Sequence, residues 1–100
     1  MARHAPQVFT EPGDVARIEA LVTHLPNLAR VRIHLADGDS LEATVVERPA
    51  TQIFEDDAGR HGVNAIVRVE TGRVEDRRAP PRTAYVWLGD IAGIDRLDTA

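Results

Sequence analysis

The sequence predicts a mainly β domain with one N-terminal helix, its five strands forming a strongly bent antiparallel open barrel, and three observations carry that prediction. One stretch near the start has helical spacing of apolar residues, five or six later segments alternate with period two between turn residues, and no second helical stretch occurs. That order excludes βαβ units and a parallel sheet.

Residues 1–11 have no period and contain Pro6, so they read as a flexible arm, with residues 12–100 as a single barrel domain. Over residues 14–25, Val15, Ile18, Leu21, Val22 and Leu25 gather on one helical stripe, leaving Arg17, Glu19 and His24 toward water. Asp14 is the expected N-cap, with Pro12 marking an earlier start as the alternative, and Pro26 and Asn27 supply the stop.

Residues 30–36 alternate, with Val31, Ile33 and Leu35 on one face and Arg30, Arg32 and His34 on the other. Asp37-Gly38 then signals a type I′ hairpin, whose two central residues need positive φ. The returning strand spans residues 39–48 with Leu41, Ala43 and Val45 inward, and Pro49 limits its pairing. A short strand at 52–55 leads into the turn-rich residues 56–62. A fourth strand at 63–70 sets Val63, Ala65, Val67 and Val69 on one face. After a polar loop containing Gly72, Pro80 and Pro81, residues 83–88 form a fifth strand and 91–97 a closing piece. Tyr85 and Trp87 share a face, and core packing is expected for both. Bending such a sheet removes exposed edges, and the helix can cap one open end.

A chain of 100 residues buries about 60 to 65% of its unfolded surface and holds one core. It has no cysteine, which excludes disulfides, thiolate metal sites and cysteine nucleophiles. His4, His24, His34 and His61 lack metal-ligand spacing, and residues 56–59 lack the alternating ligands of a calcium loop. Ser40 sits in no nucleophile elbow, and no acid–base pair is recognisable, so no catalytic residue, metal or cofactor is expected. No segment approaches the ~20 apolar residues of a membrane span, and the expected location is cytoplasmic. The net charge of −4 argues against indiscriminate phosphate binding, although all 12 basic residues are arginine, which suits bidentate phosphate contacts.

Two segments resemble a known family. Residues 31–45, Val-Arg-Ile-His-Leu-Ala-Asp-Gly-Asp-Ser-Leu-Glu-Ala-Thr-Val, look like the first Sm motif, and residues 87–94, Trp-Leu-Gly-Asp-Ile-Ala-Gly-Ile, resemble the second. With the preceding helix, the likeness to Sm-like (LSm or host-factor type) small barrels covers residues 14–97, and the chain is similar to a small bacterial variant of that motif. The resemblance implies an SH3-type open barrel, assembly into a homo-oligomer (a dimer or small ring) through edge strands, and single-stranded RNA as ligand. It also implies a nucleotide pocket built from an aromatic, an Asp and an Asn after the second strand and an Arg-Gly pair in the second motif. This chain departs there: the loop reads Glu47-Arg48-Pro49-Ala50-Thr51-Gln52, and Leu88 stands before Gly89 where the arginine is expected.

The resulting expectation is a non-enzymatic binding domain of variant Sm-like type. Its candidate RNA contacts are Arg73, Arg77, Arg78 and Arg82 in the long loop, diluted by Glu75 and Asp76, with Arg30, Arg32 and His34 as a secondary patch. The alternative is a protein-interaction or assembly module that kept the barrel and lost the RNA site, motivated by the acidic net charge, Leu88 and the altered 47–52 loop.

Overall fold

The computed structural model describes residues 3–72 and 81–98. In chain order the elements are β1 (Arg3–His4), α1 (Pro12–Thr23), β2 (Arg30–Leu35), β3 (Ser40–Glu47), β4 (Gln52–Glu55), β5 (His61–Asn64), β6 (Ile66–Thr71) and β7 (Arg82–Trp87). A one-turn 3-10 helix (Leu88–Asp90) and β8 (Ile91–Arg96) follow.

The alternating segments pair as one antiparallel five-stranded sheet in the order β7-β6-β3-β2-β8. The last strand returns beside the first of the set, and the sheet wraps the core as an open barrel whose outer strands, β7 and β8, do not pair with each other. Val31, Ile33, Ala43, Val45, Val67 and Val69 point inward and are fully buried, as period two requires. Ile18, Val22 and Leu25 bring the helical stripe onto that layer beside Leu88 and Ile91. Each large aliphatic side chain sequestered there contributes roughly 1.5–3 kcal/mol.

The helix starts two residues before the expected cap, because Pro12 in the first turn has the φ a helix needs and lacks only an N–H that would be unpaired there. Glu11 is the N-cap, and Asp14 lies instead in the first turn, where its charge suits the helix dipole. Arg17, read as facing water, donates its guanidinium to the Ile91 carbonyl and ties α1 to the start of β8.

The Asp37-Gly38 hairpin forms with a different turn from the one expected. Only Gly38 has positive φ (97°), the connection is longer than two residues, and the Leu35 N–H donates to the Asp39 carbonyl at 2.8 Å. Asp37 Oδ1 accepts the Asp39 N–H at 2.9 Å, an Asx-type bond that holds the longer loop without forcing Asp37 into the left-handed region.

The expected fourth strand is two strands on two sheets. Asn64 is fully buried, and its Oδ1 accepts the Ala65 N–H at 2.8 Å, which diverts the chain from one ladder to the other. Residues 61–64 pair with β4, whereas residues 66–71 join the main sheet. The β4–β5 hairpin is thus an insertion beside the barrel, and β1 pairs with β4 in parallel to complete a three-stranded sheet.

Residues 3–10, expected as a flexible arm, are therefore built into the fold. Ala5 is fully buried and its N–H donates to Glu55 at 3.0 Å, while Phe9 and Val63 exchange main-chain hydrogen bonds of 2.9 and 2.8 Å. Period-free residues can still pair when another strand offers an edge, and β4 and β5 offer one here.

Asp56 organises the turn of this small sheet. Its carboxylate accepts the Arg60 N–H (2.9 Å), the Ala58 N–H (3.0 Å) and the Arg60 Nε (3.0 Å). These donors, the Arg60 main-chain N–H foremost, hold its carboxyl below the usual carboxylate range. Asp98 is lowered likewise, first by the Arg30 N–H and then by Arg96. A carboxyl with a depressed folded-state pKa stabilises the fold above its unfolded value, about 3.9, and that stabilisation is lost as pH falls through the lower folded value. The urea midpoint should therefore hold down to about pH 5 and drop below about pH 4, and Asp56→Ala should make the acid drop shallower. An unchanged acid limb in that variant would show that Asp56 does not contribute to it.

Candidate functional site

Among the described residues, the four expected to bind RNA, Arg30, Arg32, His34 and Arg82, do not form one basic surface. Arg30, Arg32 and His34 do line the outer face of β2, but acidic neighbours across the sheet pair with Arg32 and His34. Arg32 Nη2 lies 2.6 Å from Glu42 Oε1, and His34 Nε2 lies 2.7 Å from Asp95 Oδ2. Arg30 Nη1 donates to Thr44 Oγ1 and to the Gly72 carbonyl, while its N–H is taken by Asp98. Arg82 is exposed at the start of β7, in one register row with Val31, Ala43 and Thr71. Val31 and Ala43 point into the core, so Arg82 belongs to the concave side and Arg30, Arg32 and His34 to the convex side. Arg73, Arg77 and Arg78 lie outside the described residues.

Leu88 is fully buried in the core. The position where the resemblance asks for a base-contacting arginine is therefore a packing position in this barrel.

A different cluster comes together on the convex face. Leu88 N–H donates to the Ala65 carbonyl at 2.9 Å, which sets the phase of the β6–β7 ladder. With that phase, Arg68 and Tyr85 are directly opposite as a non-hydrogen-bonded pair, the arrangement in which facing side chains approach most closely. Tyr85 is 63% exposed, contrary to the core packing expected for it. Trp87, on the same face, is half-buried and packs edge-on against Phe54 with ring centroids 5.2 Å apart. The inserted small sheet thus covers one aromatic of the pair and leaves the other in solvent.

Arg48, Pro49 and Ala50, from the loop that follows β3, form the other side of a groove of about 210 Å³ with Glu47, Gln52, Ile66, Arg68 and Tyr85. Pro49 is buried, and Asn27 Oδ1 accepts the Arg48 N–H at 2.5 Å, so the loop is held at its base. Among the described residues no carboxylate forms an ion pair with Arg48 or Arg68, although Glu47 is the cross-strand neighbour of Arg68. The groove offers an aromatic ring, two guanidinium groups with no ion-pair partner among the described residues, one amide and, at its edge, the Glu47 carboxylate. It has no nucleophile–base pair, and among the described residues no three His, Asp or Glu side chains come together as a metal site.

The sequence reading passed over Arg68 and met Arg48 only as part of an altered loop. Finding them required the register between β6 and β7, which the local sequence of the two strands does not fix. The available signal was that Arg68 breaks the valine alternation of residues 63–70 on the same parity as its outward neighbours.

Comparison with known proteins agrees with this architecture. The family model described as "Domain of unknown function (DUF3247)" matches residues 2–97. The crystal structure of XC5848 from Xanthomonas campestris, described as adopting a novel variant of the Sm-like motif, is similar with a TM-score of 0.82 and 32% sequence identity over 97% of this chain and 99% of that one. No curated protein matches. The fold is accordingly a variant Sm-like domain, mainly β with one helix, as the two motifs implied. Among the described residues no helix is long and apolar enough to cross a membrane.

Proposed function

We propose that this chain, which belongs to the family described as Domain of unknown function (DUF3247), is a non-enzymatic binding domain that takes single-stranded RNA in the cytoplasm on the convex face around Tyr85. The observation that carries the reading is an exposed tyrosine beside two arginines that have no carboxylate partner among the described residues. A base can stack on the phenol ring, and Arg48 and Arg68 can meet the flanking phosphates. Gln52 supplies a donor and an acceptor at the groove's edge. The Sm-like likeness supports RNA as the ligand class. With Leu88 in the core, the contact moves from the family's usual pocket to the sheet surface.

A second reading, an assembly module without RNA, has its own support: β7 and β8 both end the sheet without a partner strand among the described residues. Homo-oligomerisation through those edges is compatible with either reading, and repeated copies would raise RNA avidity.

The test is binding of short uridine-rich and adenine-rich RNAs at two salt concentrations, with oligomeric mass from light scattering on the same sample. Tyr85→Ala should weaken binding by about tenfold or more, the worth of one stacked base. Arg48→Ala with Arg68→Ala should lower affinity and flatten the slope of log affinity against log salt by about 1.4, two phosphates' worth for a single strand. Binding unaffected by these changes but lost with the arginines at 73, 77, 78 and 82 would move the contact to that loop. No RNA binding from a defined oligomer would favour the assembly reading.

A further inference from the structure

A larger cleft, about 540 Å³, lies on the other side of β7, in the unclosed seam of the barrel. Residues 84–87 line one wall, and Leu35, Ala36, Asp37, Leu41 and Asp90 line the other. Four consecutive residues of one strand can line a single cleft only if the cleft runs along the strand's edge, since their side chains alternate between faces. The ladder phase set by the Leu88–Ala65 bond says which main-chain groups point there. Val86 and Ala84 bond to β6, so the N–H and C=O of Thr83, Tyr85 and Trp87 are directed off the edge. No strand among the described residues takes them up.

The wall opposite is apolar at its base, with Leu35 and Leu41 half-buried against the core. At its rim stand two exposed carboxylates, Asp37 and Asp90, and among the described residues no arginine or histidine lines the cleft. An occupant must therefore satisfy three conditions together: a main-chain edge of its own, apolar side chains toward Leu35 and Leu41, and positive charge toward the rim.

We propose that the seam takes up an extended segment of a partner protein, with alternating apolar and basic side chains, as a sixth strand on β7. Main-chain hydrogen bonds to residues 83, 85 and 87 supply affinity, and the alternation of the added strand supplies selectivity. An RNA strand has no N–H and C=O ladder to offer this edge and would meet Asp37 and Asp90 with like charge. The site is independent of the convex-face groove: it uses the main chain of Tyr85, whereas RNA would use its ring.

The probe is an end-blocked, fluorescently labelled peptide of about six residues alternating valine and lysine, matched in length to a typical strand, beside a valine–glutamate peptide of the same length. Anisotropy titration of the full chain should show the lysine peptide binding at least about tenfold more tightly than the glutamate peptide. Asp37→Lys with Asp90→Lys should reverse that order. Thr83→Pro removes one outward N–H without touching a ladder bond, and should weaken the lysine peptide by about tenfold with the far-ultraviolet circular dichroism unchanged. Equal binding of the two peptides, or indifference to both changes, would overturn the proposal. So would self-association that Thr83→Pro abolishes while the peptide fails to compete, which would assign the edge to a second copy of the chain. Since Arg48 and Arg68 line the convex-face groove and not the seam, loss of RNA binding in Arg48→Ala with Arg68→Ala, with peptide binding intact, separates this site from the convex face.

Discussion

Replacement of Asn64 by alanine should cost about 3–4 kcal/mol, lowering the urea midpoint without changing its slope. Asn64 is fully buried and makes three hydrogen bonds to three parts of the chain. Its Nδ2 donates to the Gln7 carbonyl at 2.9 Å, and its Oδ1 accepts the Ala65 N–H at 2.8 Å and the Gly89 N–H at 3.2 Å. One side chain thus joins the N-terminal segment, the point where the chain changes sheets, and the 3-10 turn that leads into β8. Alanine leaves all three main-chain groups without that partner; the buried Ala65 N–H costs about 1–3 kcal/mol, and the part-buried Gln7 and Gly89 groups add roughly 0.5–1.5 kcal/mol each. A water entering the vacated space can restore some of these bonds, which sets the expectation nearer the lower end of the sum. Against the roughly 5–15 kcal/mol that hold an ordinary domain together, the loss corresponds to a fall of about 12–32 °C in Tm. Asn64→Asp should be at least as damaging, because a carboxylate would face the Gln7 carbonyl and introduce a buried charge. A cost below about 1 kcal/mol for the alanine variant would show that the three segments are held by other contacts.

The strand alternation was legible in the sequence because it reflects burial on one side only. Residues 30–36 and 39–48 show it, and Val31, Ile33, Ala43 and Val45 are buried as that pattern demands. The helix was legible for the same reason: Ile18 and Val22 are buried at the spacing that set them apart, while Leu25, expected as the last residue of the stripe, is buried just past the helix end at Thr23. What stayed hidden depends on partners far along the chain. Asn64 breaks a run of valines that reads as one strand, and nothing local says that its amide will replace a ladder bond. Residues 3–10 carry no period because they pair with an edge instead of covering a core. Tyr85 and Trp87 look alike by parity, yet the inserted β4–β5 hairpin covers only Trp87, so one aromatic packs and the other is exposed. The candidate site was hidden for this reason. Arg30, Arg32 and His34 were placed correctly on one face, but their value as a basic patch depended on Glu42 and Asp95, which only the cross-strand register brings beside them.

Substituting valine for Gly62 should release the N-terminal segment from the domain. Gly62 is buried in β5, and a Cβ built on it would lie 2.8 Å from the Phe9 carbonyl oxygen, 3.0 Å from the Phe9 nitrogen and 3.0 Å from Val8 Cβ. Two of these obstacles are main chain, so relief requires the whole segment to move. Moving it breaks the paired Phe9–Val63 hydrogen bonds, the Ala5–Glu55 bond and the Gln7–Asn64 bond, each worth roughly 0.5–1.5 kcal/mol net. The freed residues regain about 1–2 kcal/mol of backbone entropy apiece, so the global loss is smaller than the sum of the broken bonds. The sensitive readout is local: amide exchange at Phe9 and Val63 should accelerate by about a hundredfold, the equivalent of about 2.8 kcal/mol, while amides of β2 and β3 keep most of their protection. Gly89→Ala is the control, because its Cβ would meet side-chain atoms and no main chain: Phe9 ring atoms at 2.7 and 3.0 Å, the far end of a side chain that can turn aside, and Asn64 Nδ2 at 3.3 Å, which must give by a few tenths of an ångström. It should disturb exchange at Phe9 far less. Were residues 3–10 a loose arm, the Phe9 amide would already exchange freely in the unaltered chain and neither substitution would change it; protection at Phe9 that Gly62→Val removes and Gly89→Ala largely spares would identify main-chain pairing to β5 as what holds the segment.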